Sequence, residues 1–396
     1  MRRLEPARRQ YAWGSTTAIP TILGVADDGA PWAEVWYGSH PAGPARIAEG
    51  RALSDLIEAE PERLLGDDVV RRFGSQLPFL LKLIAPERPL SLQVHPSQDQ
   101  AAEGYALEEE AGIALDHPAR NYKDTNHKPE MVLALTRFQA VAGFRAPRRA
   151  VEVLAGLDSP LARRMRRTLR LNPTRYGIRQ VFSDVVSAAT RPSRQEIDDL
   201  IVEIAARFEA GTSPSLRVDS NVLKMADTFP GDPGVAAALL LNPVTLQPGE
   251  ALFVPAGSVH AYISGLGVEV MASSDNVLRA GLTAKHIDVP EMLACVDYVA
   301  APPVRPAPEY LSRATRAYYA PVDDFELMVT TVVVADGRLP VPGRGPRILL
   351  AVEGAMTLVT QADSQTLAQG EAVFVGADER SLFVEGEGTL VQADVP

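Results

Sequence analysis

The sequence holds a single cysteine, Cys295, so no disulfide within the chain can staple the fold. It has no run of about eighteen apolar residues, the length that a bilayer-spanning helix needs. No apolar segment follows Met1-Arg2-Arg3-Leu4-Glu5 in the manner of a secretory leader. Positive charge is also in deficit: 39 Lys and Arg stand against 50 Asp and Glu, a formal net charge of −11. That balance repels nucleic acid and anionic membrane alike. A Gly-rich loop followed by Lys and Ser or Thr, the cradle for nucleotide phosphates, is missing too, which argues against nucleotidyl transfer. The expectation is a cytoplasmic enzyme acting on a small molecule. If that molecule is anionic, the acidic chain must supply a local basic pocket.

What the sequence does hold is length and punctuation. Its 396 residues exceed one ordinary core and imply two or three domains. Up to about residue 145, short apolar segments at 79–85, 90–94 and 131–143 alternate with Pro and Gly turns, which predicts many short strands. From 146 to about 211 the apolar spacing turns helical, over 148–157, 161–171 and 194–210. Arg163, Arg164, Arg166, Arg167 and Arg170 fall in this part and read as a solvated helix face. Strand-like runs return from about 242.

A repeat lies in this second β region. Gly249-Glu250-Ala251-Leu252-Phe253-Val254 matches Gly370-Glu371-Ala372-Val373-Phe374-Val375 at an offset of 121. The same offset sets Tyr262 on Phe383, Gly265 on Gly386 and Gly267 on Gly388. Repeated short strands of this kind predict a mainly β protein with two cupin-type jelly-roll β-barrels and an α-helical insert. The expected catalytic cupin domain is discontinuous, 1–145 and 242–325, with the helical insert at 146–241 and a degenerate barrel at 326–396. His260 falls on Ser381, so the C-terminal copy lacks a residue able to bind metal.

In Ser91-Leu92-Gln93-Val94-His95 the period of two puts Ser91, Gln93 and His95 on one face of a strand. A polar strand face is ordinarily the solvated side; its company here changes the reading. Glu130 ends Asn126-His127-Lys128-Pro129-Glu130, and His260 follows the turn Pro255-Ala256-Gly257-Ser258. His95, Glu130 and His260, with the amide oxygen of Gln93, form a donor set suited to zinc or another divalent first-row ion with positions left open. Lys82 sits inside the apolar run Phe79-Leu80-Leu81-Lys82-Leu83-Ile84, where an ammonium needs an anionic partner. Lys128, Arg279 and Lys285 complete a group of cations expected to receive a phosphorylated or otherwise anionic ligand.

These segments resemble the type I mannose-6-phosphate isomerases. The likeness is carried by Tyr122-Lys123-Asp124-Thr125-Asn126-His127-Lys128-Pro129-Glu130-Met131, by Tyr11-Ala12-Trp13-Gly14, by Ala33-Glu34-Val35-Trp36-Tyr37-Gly38-Ser39-His40-Pro41, by 90–96 and by 260–285. It implies one Zn²⁺ per chain on Gln93, His95, Glu130 and His260. It places substrate and catalytic positions on Lys128, Glu269, Asp275 and Arg279, with Ser91, Lys82 and Lys285 on the phosphate side. Ala284 departs from the pattern, which has proline before the lysine. The implied reaction moves a proton between C1 and C2 of a sugar phosphate through an enediol, and needs a base together with charge to stabilise the oxyanion. Glu269, Asp275, His127, Lys128 and a water on the metal all remain open as that base. Two rivals are a cupin non-haem iron oxygenase, which also uses two histidines and a carboxylate, and a non-catalytic sugar-binding cupin. The partner implied is a small sugar phosphate.

Overall fold

The computed structural model describes residues 1–48 and 50–396. Three antiparallel sheets and a block of helices are stacked in layers. The middle sheet has six strands, in spatial order Ala7–Arg9, Glu34–Tyr37, Phe79–Ile84, Gly267–Ala272, Glu130–Ala134 and Ala251–Val254. Facing it is a sheet of five strands, Leu278–Gly281, Leu92–Val94, His260–Ser264, Phe138–Phe144 and Leu241–Leu246. Side-chain alternation divides the work of these strands. Ile84, Val132, Phe138, Val254 and Tyr262 pack between the two sheets. Leu81, Leu83, Met131, Leu133, Val268 and Val270 point from the six-stranded sheet the other way, onto Leu327, Ile348, Leu350 and Phe374 of a ten-stranded C-terminal sheet and the adjoining Phe325. Leu92, Val94 and Val141 cover the outer face of the five-stranded sheet and meet the helices.

The helical insert contains more helix than periodicity alone indicates. Pro147–Val153, Pro160–Leu171 and Arg194–Glu209 match the expected segments, and Arg175–Val186 and Leu216–Thr228 are added to them. Gln98–Glu110 is a further helix, lying in the part read as strands. It starts at a reciprocal cap in which Ser97 accepts from the Gln100 N–H and Gln100 from the Ser97 N–H. The exposed arginines of Pro160–Leu171 are solvated or paired, Arg164 with Glu196 at 2.7 Å.

Two boundaries need correction. Arg2–Glu5 pairs with Ala372–Val375, and Arg46–Ile47 pairs with Arg2–Glu5, so these two strands belong to the C-terminal sheet and not to the six-stranded one. Glu309–Tyr310 and Thr315–Tyr318 also join that sheet ahead of residue 326. Among the described residues no sheet closes on itself, so the jelly-roll units are open, facing sheets instead of closed barrels.

The repeat is a repeat of backbone conformation. Gly249 and Gly370 have φ of 82° and 85°, Gly265 and Gly386 of 130° and 121°, a region that glycine enters without steric cost. Each of the first pair also receives a tyrosine from the other unit. The Tyr318 hydroxyl donates to the Gly249 carbonyl at 2.6 Å, and the Tyr37 hydroxyl to the Gly370 carbonyl at 2.9 Å. The two copies are pinned to each other through the turns that define them.

Candidate active site

Both sheets that face the central cavity bring polar side chains to it by strand alternation. From the six-stranded sheet come Glu34 and Trp36, then Lys82, Glu269 and Glu130, while their neighbours in sequence point into the apolar core behind. Glu269 and Trp36 lie directly across from Lys82 on its two flanking strands. From the five-stranded sheet, His260, Gln93 and Arg279 sit in one cross-strand row. The cavity between them is about 560 Å³.

His95, Glu130 and His260 are buried, and one donor atom from each lies within 4.8 Å of the others. Both imidazoles are oriented from behind. His95 donates from Nδ1 to the Asn276 carbonyl at 2.8 Å, and His260 donates from Nδ1 to the Ser258 carbonyl at 3.0 Å. A carbonyl only accepts, so the ring proton resides on Nδ1 and the Nε2 lone pair of each ring faces inward. Burial pushes His95 down to about 4, which keeps it neutral at pH 7. His95 Nε2 and Glu130 Oε2 are buried without a hydrogen-bond partner. Glu130 sits 3.2 Å from His95 Nε2 and 3.3 Å from His260 Nε2. Burial opposes its ionisation, but His95 and Lys128 outweigh it and hold the carboxyl well below the usual range. Gln93 Nε2 is 3.2 Å from His260 Nε2, and a half-turn of the amide presents Oε1 to the same centre. Inward lone pairs, a carboxylate and orphaned buried atoms fit a divalent cation such as zinc.

Lys128 lines the cavity with its ammonium 3.4 Å from Glu130. Arg279, Lys285 and Ser91 line it as well, and burial lowers the pKa of both cations. The Lys285 backbone N–H donates to the Thr283 hydroxyl at 3.1 Å, which braces this segment around Ala284. Lys82 is a different case. Its ammonium lies 2.5 Å from Glu269 and 3.7 Å from Glu34, so two carboxylates already occupy the cation expected on the phosphate side. Burial works against its charge; Glu269, Glu34 and Glu130 prevail and raise its pKa. Burial likewise raises Glu269, with Glu130 and Glu34 adding to the effect despite the ion pair. Asp275 is the least constrained carboxylate of the set, its side chain 45% exposed.

His127 is the residue that the structure sets apart. It lines a separate cleft of about 730 Å³ with Arg72, and its Nε2 lies 2.9 Å from Asp324. The period of two explains the division: Lys128 and His127 are adjacent, so the extended segment turns them to opposite sides.

Several residues of the site escape sequence reading. Arg88 and Phe229 also line the cavity, Phe229 from the end of Leu216–Thr228 in the helical insert. Trp36 donates from Nε1 to Glu34 at 2.7 Å. Asn276, fully buried, accepts from the Lys123 N–H at 2.7 Å and donates to the Asp124 and Asn126 carbonyls, each at 2.8 Å. Its own carbonyl orients His95, so one residue ties the 123–126 loop to a metal-ligand candidate.

A family model described as phosphomannose isomerase type I, catalytic domain, matches residues 1–147. The chain is 36% identical to the mannose-6-phosphate isomerase of Escherichia coli, over 99% of each chain. It is 33% identical to that of Homo sapiens, over 95% of this chain and 93% of the relative. A crystal structure of mannose 6-phosphate isomerase from Salmonella typhimurium, bound to its substrate fructose 6-phosphate and zinc, is similar throughout. Its TM-score is 0.90 at 36% identity, covering 100% of this chain and 99% of that one.

Proposed function

The chain belongs to the type I mannose-6-phosphate isomerase family, and from that premise we propose how its own residues interconvert mannose 6-phosphate and fructose 6-phosphate. The observation that carries the reading is one cavity joining the His95, Glu130 and His260 cage to Lys128, Arg279 and a free carboxylate. Membership disfavours the oxygenase and the non-catalytic cupin. His95, Glu130, His260 and Gln93 would hold one zinc ion, which supplies Lewis-acid polarisation of the sugar oxygens at C1 and C2.

The remaining work falls to protein groups. Lys128 and Arg279 set fixed positive charge beside the carbons between which the proton moves, where an enediolate develops negative charge. Lys285, Ser91 and Arg88, which all line the cavity, would form its phosphate end. Of the carboxylates, Glu130 faces the imidazoles, and Glu34 and Glu269 hold Lys82. Asp275 alone neither faces those imidazoles nor pairs with a lysine, and we assign it the proton transfer between C1 and C2. Residues 1–145 and 242–325 would then act as the catalytic unit, lending Arg2–Glu5 and Arg46–Ile47 to the sheet of 326–396, and 146–241 would supply the Phe229 wall. The single buried thiol of Cys295 suits the cytoplasm.

Steady-state kinetics on Arg279→Ala in both directions test this reading. If Arg279 acts mainly on the enediolate, the turnover number falls while the Michaelis constant changes less and metal content stays near one per chain. In heavy water, deuterium incorporation at C1 or C2 without oxygen uptake accords with proton transfer. Stoichiometric oxygen uptake, or a raised Michaelis constant with turnover untouched, contradicts the role assigned to Arg279.

A further inference from the structure

We propose that His40 is a positioning residue for the isomerisation, aiming its Nε2–H at Asp275 and holding that carboxylate towards the cavity. The proposal rests on the reading of Asp275 as the proton-transfer group. His40 follows the strand Glu34–Tyr37 in Gly38-Ser39-His40-Pro41 and is 4% exposed. The backbone N–H of Ala42 donates to its Nδ1 at 3.2 Å, within a turn closed by Gly43 N–H on the His40 carbonyl at 2.9 Å. A ring nitrogen that accepts carries no proton, so in the neutral imidazole the hydrogen sits on Nε2. That nitrogen is 3.6 Å from Asp275 Oδ1. The separation is slightly beyond a hydrogen bond, and the half-exposed carboxylate closes it with a small rotation.

The ring itself has little freedom. Trp36 packs edge-on against it with centroids 5.1 Å apart, and the Arg9 guanidinium stacks over Trp36 at 4.3 Å. Trp36 in turn is fixed to Glu34. The charged groups facing His40 are Asp275 and Asp124, which favour its protonation, and Lys128 and Lys82, which oppose it. Burial is the largest influence and lowers the pKa, so the neutral, Nε2–H form is the one that meets Asp275. Asp275 takes no other ion pair among the described residues. Its backbone N–H is held by Asp124 Oδ2 at 2.8 Å, which fixes the main chain and leaves side-chain direction to His40.

His40→Asn separates this role from a merely structural one. The Asn oxygen can accept from the N–H two residues on and so keep the turn, but the side chain ends short of Asp275. Its turnover number should fall by about tenfold through misplacement of the carboxylate, with zinc content retained and the Michaelis constant for mannose 6-phosphate little changed. His40→Gln, long enough to present an N–H to Asp275, should recover most of the loss. In an Asp275→Asn background, His40→Asn should cost nothing further, because coupled residues are not additive. Wild-type turnover in His40→Asn, equal fold-losses in both backgrounds, or no recovery in His40→Gln would overturn the proposal. Full turnover in Asp275→Asn alone would overturn the reading of Asp275 and this inference with it.

Discussion

Lys82 is a cation whose environment decides its role. Glu269 and Glu34 hold it within the six-stranded sheet, so its loss strands two buried carboxylates. Lys82→Met is expected to lower stability by about 3–5 kcal/mol, measured by chemical denaturation, with the affinity for inorganic phosphate unchanged. Wild-type stability with weakened phosphate binding would return Lys82 to the phosphate side. Asn276 works by hydrogen bonds alone. Asn276→Ala keeps the carbonyl that orients His95 but releases the 123–126 loop, and zinc affinity should fall by about 10–100-fold, read by competition with a chromophoric chelator; unaltered affinity would show the loop is held by other means. The difference between these residues also explains what can be read without coordinates. His95, Glu130, His260 and Gln93 announce themselves because ligand chemistry restricts residue type and strand alternation restricts face. Asn276 and His40 give no such signal: Asn276 bonds Lys123 across 153 positions, and His40 meets Asp275 only because the sheets bring them together.

At the scale of elements, strand alternation puts chemistry on one face and packing on the other. Short strands bounded by Gly and Pro, and the repeat at an offset of 121, are legible because glycine at positive φ is a local requirement. That requirement can be measured. In Gly249→Ala the new Cβ meets only the Arg316 side chain, at 3.3 Å, whereas in Gly370→Ala it meets the Leu23 backbone at 2.8 Å. Each change carries backbone strain of about 1–3 kcal/mol, and Gly370→Ala should be the costlier by the added clash, seen as a lower denaturant midpoint. Equal costs would mean that the Leu23 segment yields freely. The helices missed by periodicity have physical reasons as well. Gln98–Glu110 is polar nearly all round and buries few apolar residues, so its signal lies in the Ser97 and Gln100 cap. Arg175–Val186 contains Gly177, a weak helix former that packs against the Asn172 carbonyl.

Across the whole molecule, chain order and sheet membership diverge. The first strand lies between Ala372–Val375 and Arg46–Ile47 in the C-terminal sheet, a long-range pairing that no local pattern encodes. That sheet also carries a pH-dependent feature far from the cavity. Glu326 and Asp394 lie directly opposite each other on paired strands. Burial raises both carboxyls above their usual range, and for Asp394 the charge of Glu326 raises it further. A carboxyl whose folded-state pKa exceeds its unfolded value binds its proton more tightly when folded, so its contribution is fully present below about pH 4 and is lost as pH rises through the folded value. Asp394→Asn should lessen that decline, leaving the share that Glu326 carries through its own burial, and stabilise the protein at neutral pH by about 0.2–1 kcal/mol, the usual cost of opposed like charges. Thermal midpoints from pH 4 to 8 give the answer, and parallel profiles for the two proteins would refute it.

The layered arrangement serves one end, a buried cage for a divalent ion opening on a cationic cavity. The most direct test is isomerisation of mannose 6-phosphate by the whole chain, assayed before and after metal removal and again after zinc is returned, with Glu130→Ala in parallel. Activity should vanish on removal and return at one zinc per chain, and the variant should neither retain zinc nor recover. Full turnover in rigorously metal-free protein, or zinc-restored activity in Glu130→Ala equal to that of the unaltered chain, would contradict the assignment.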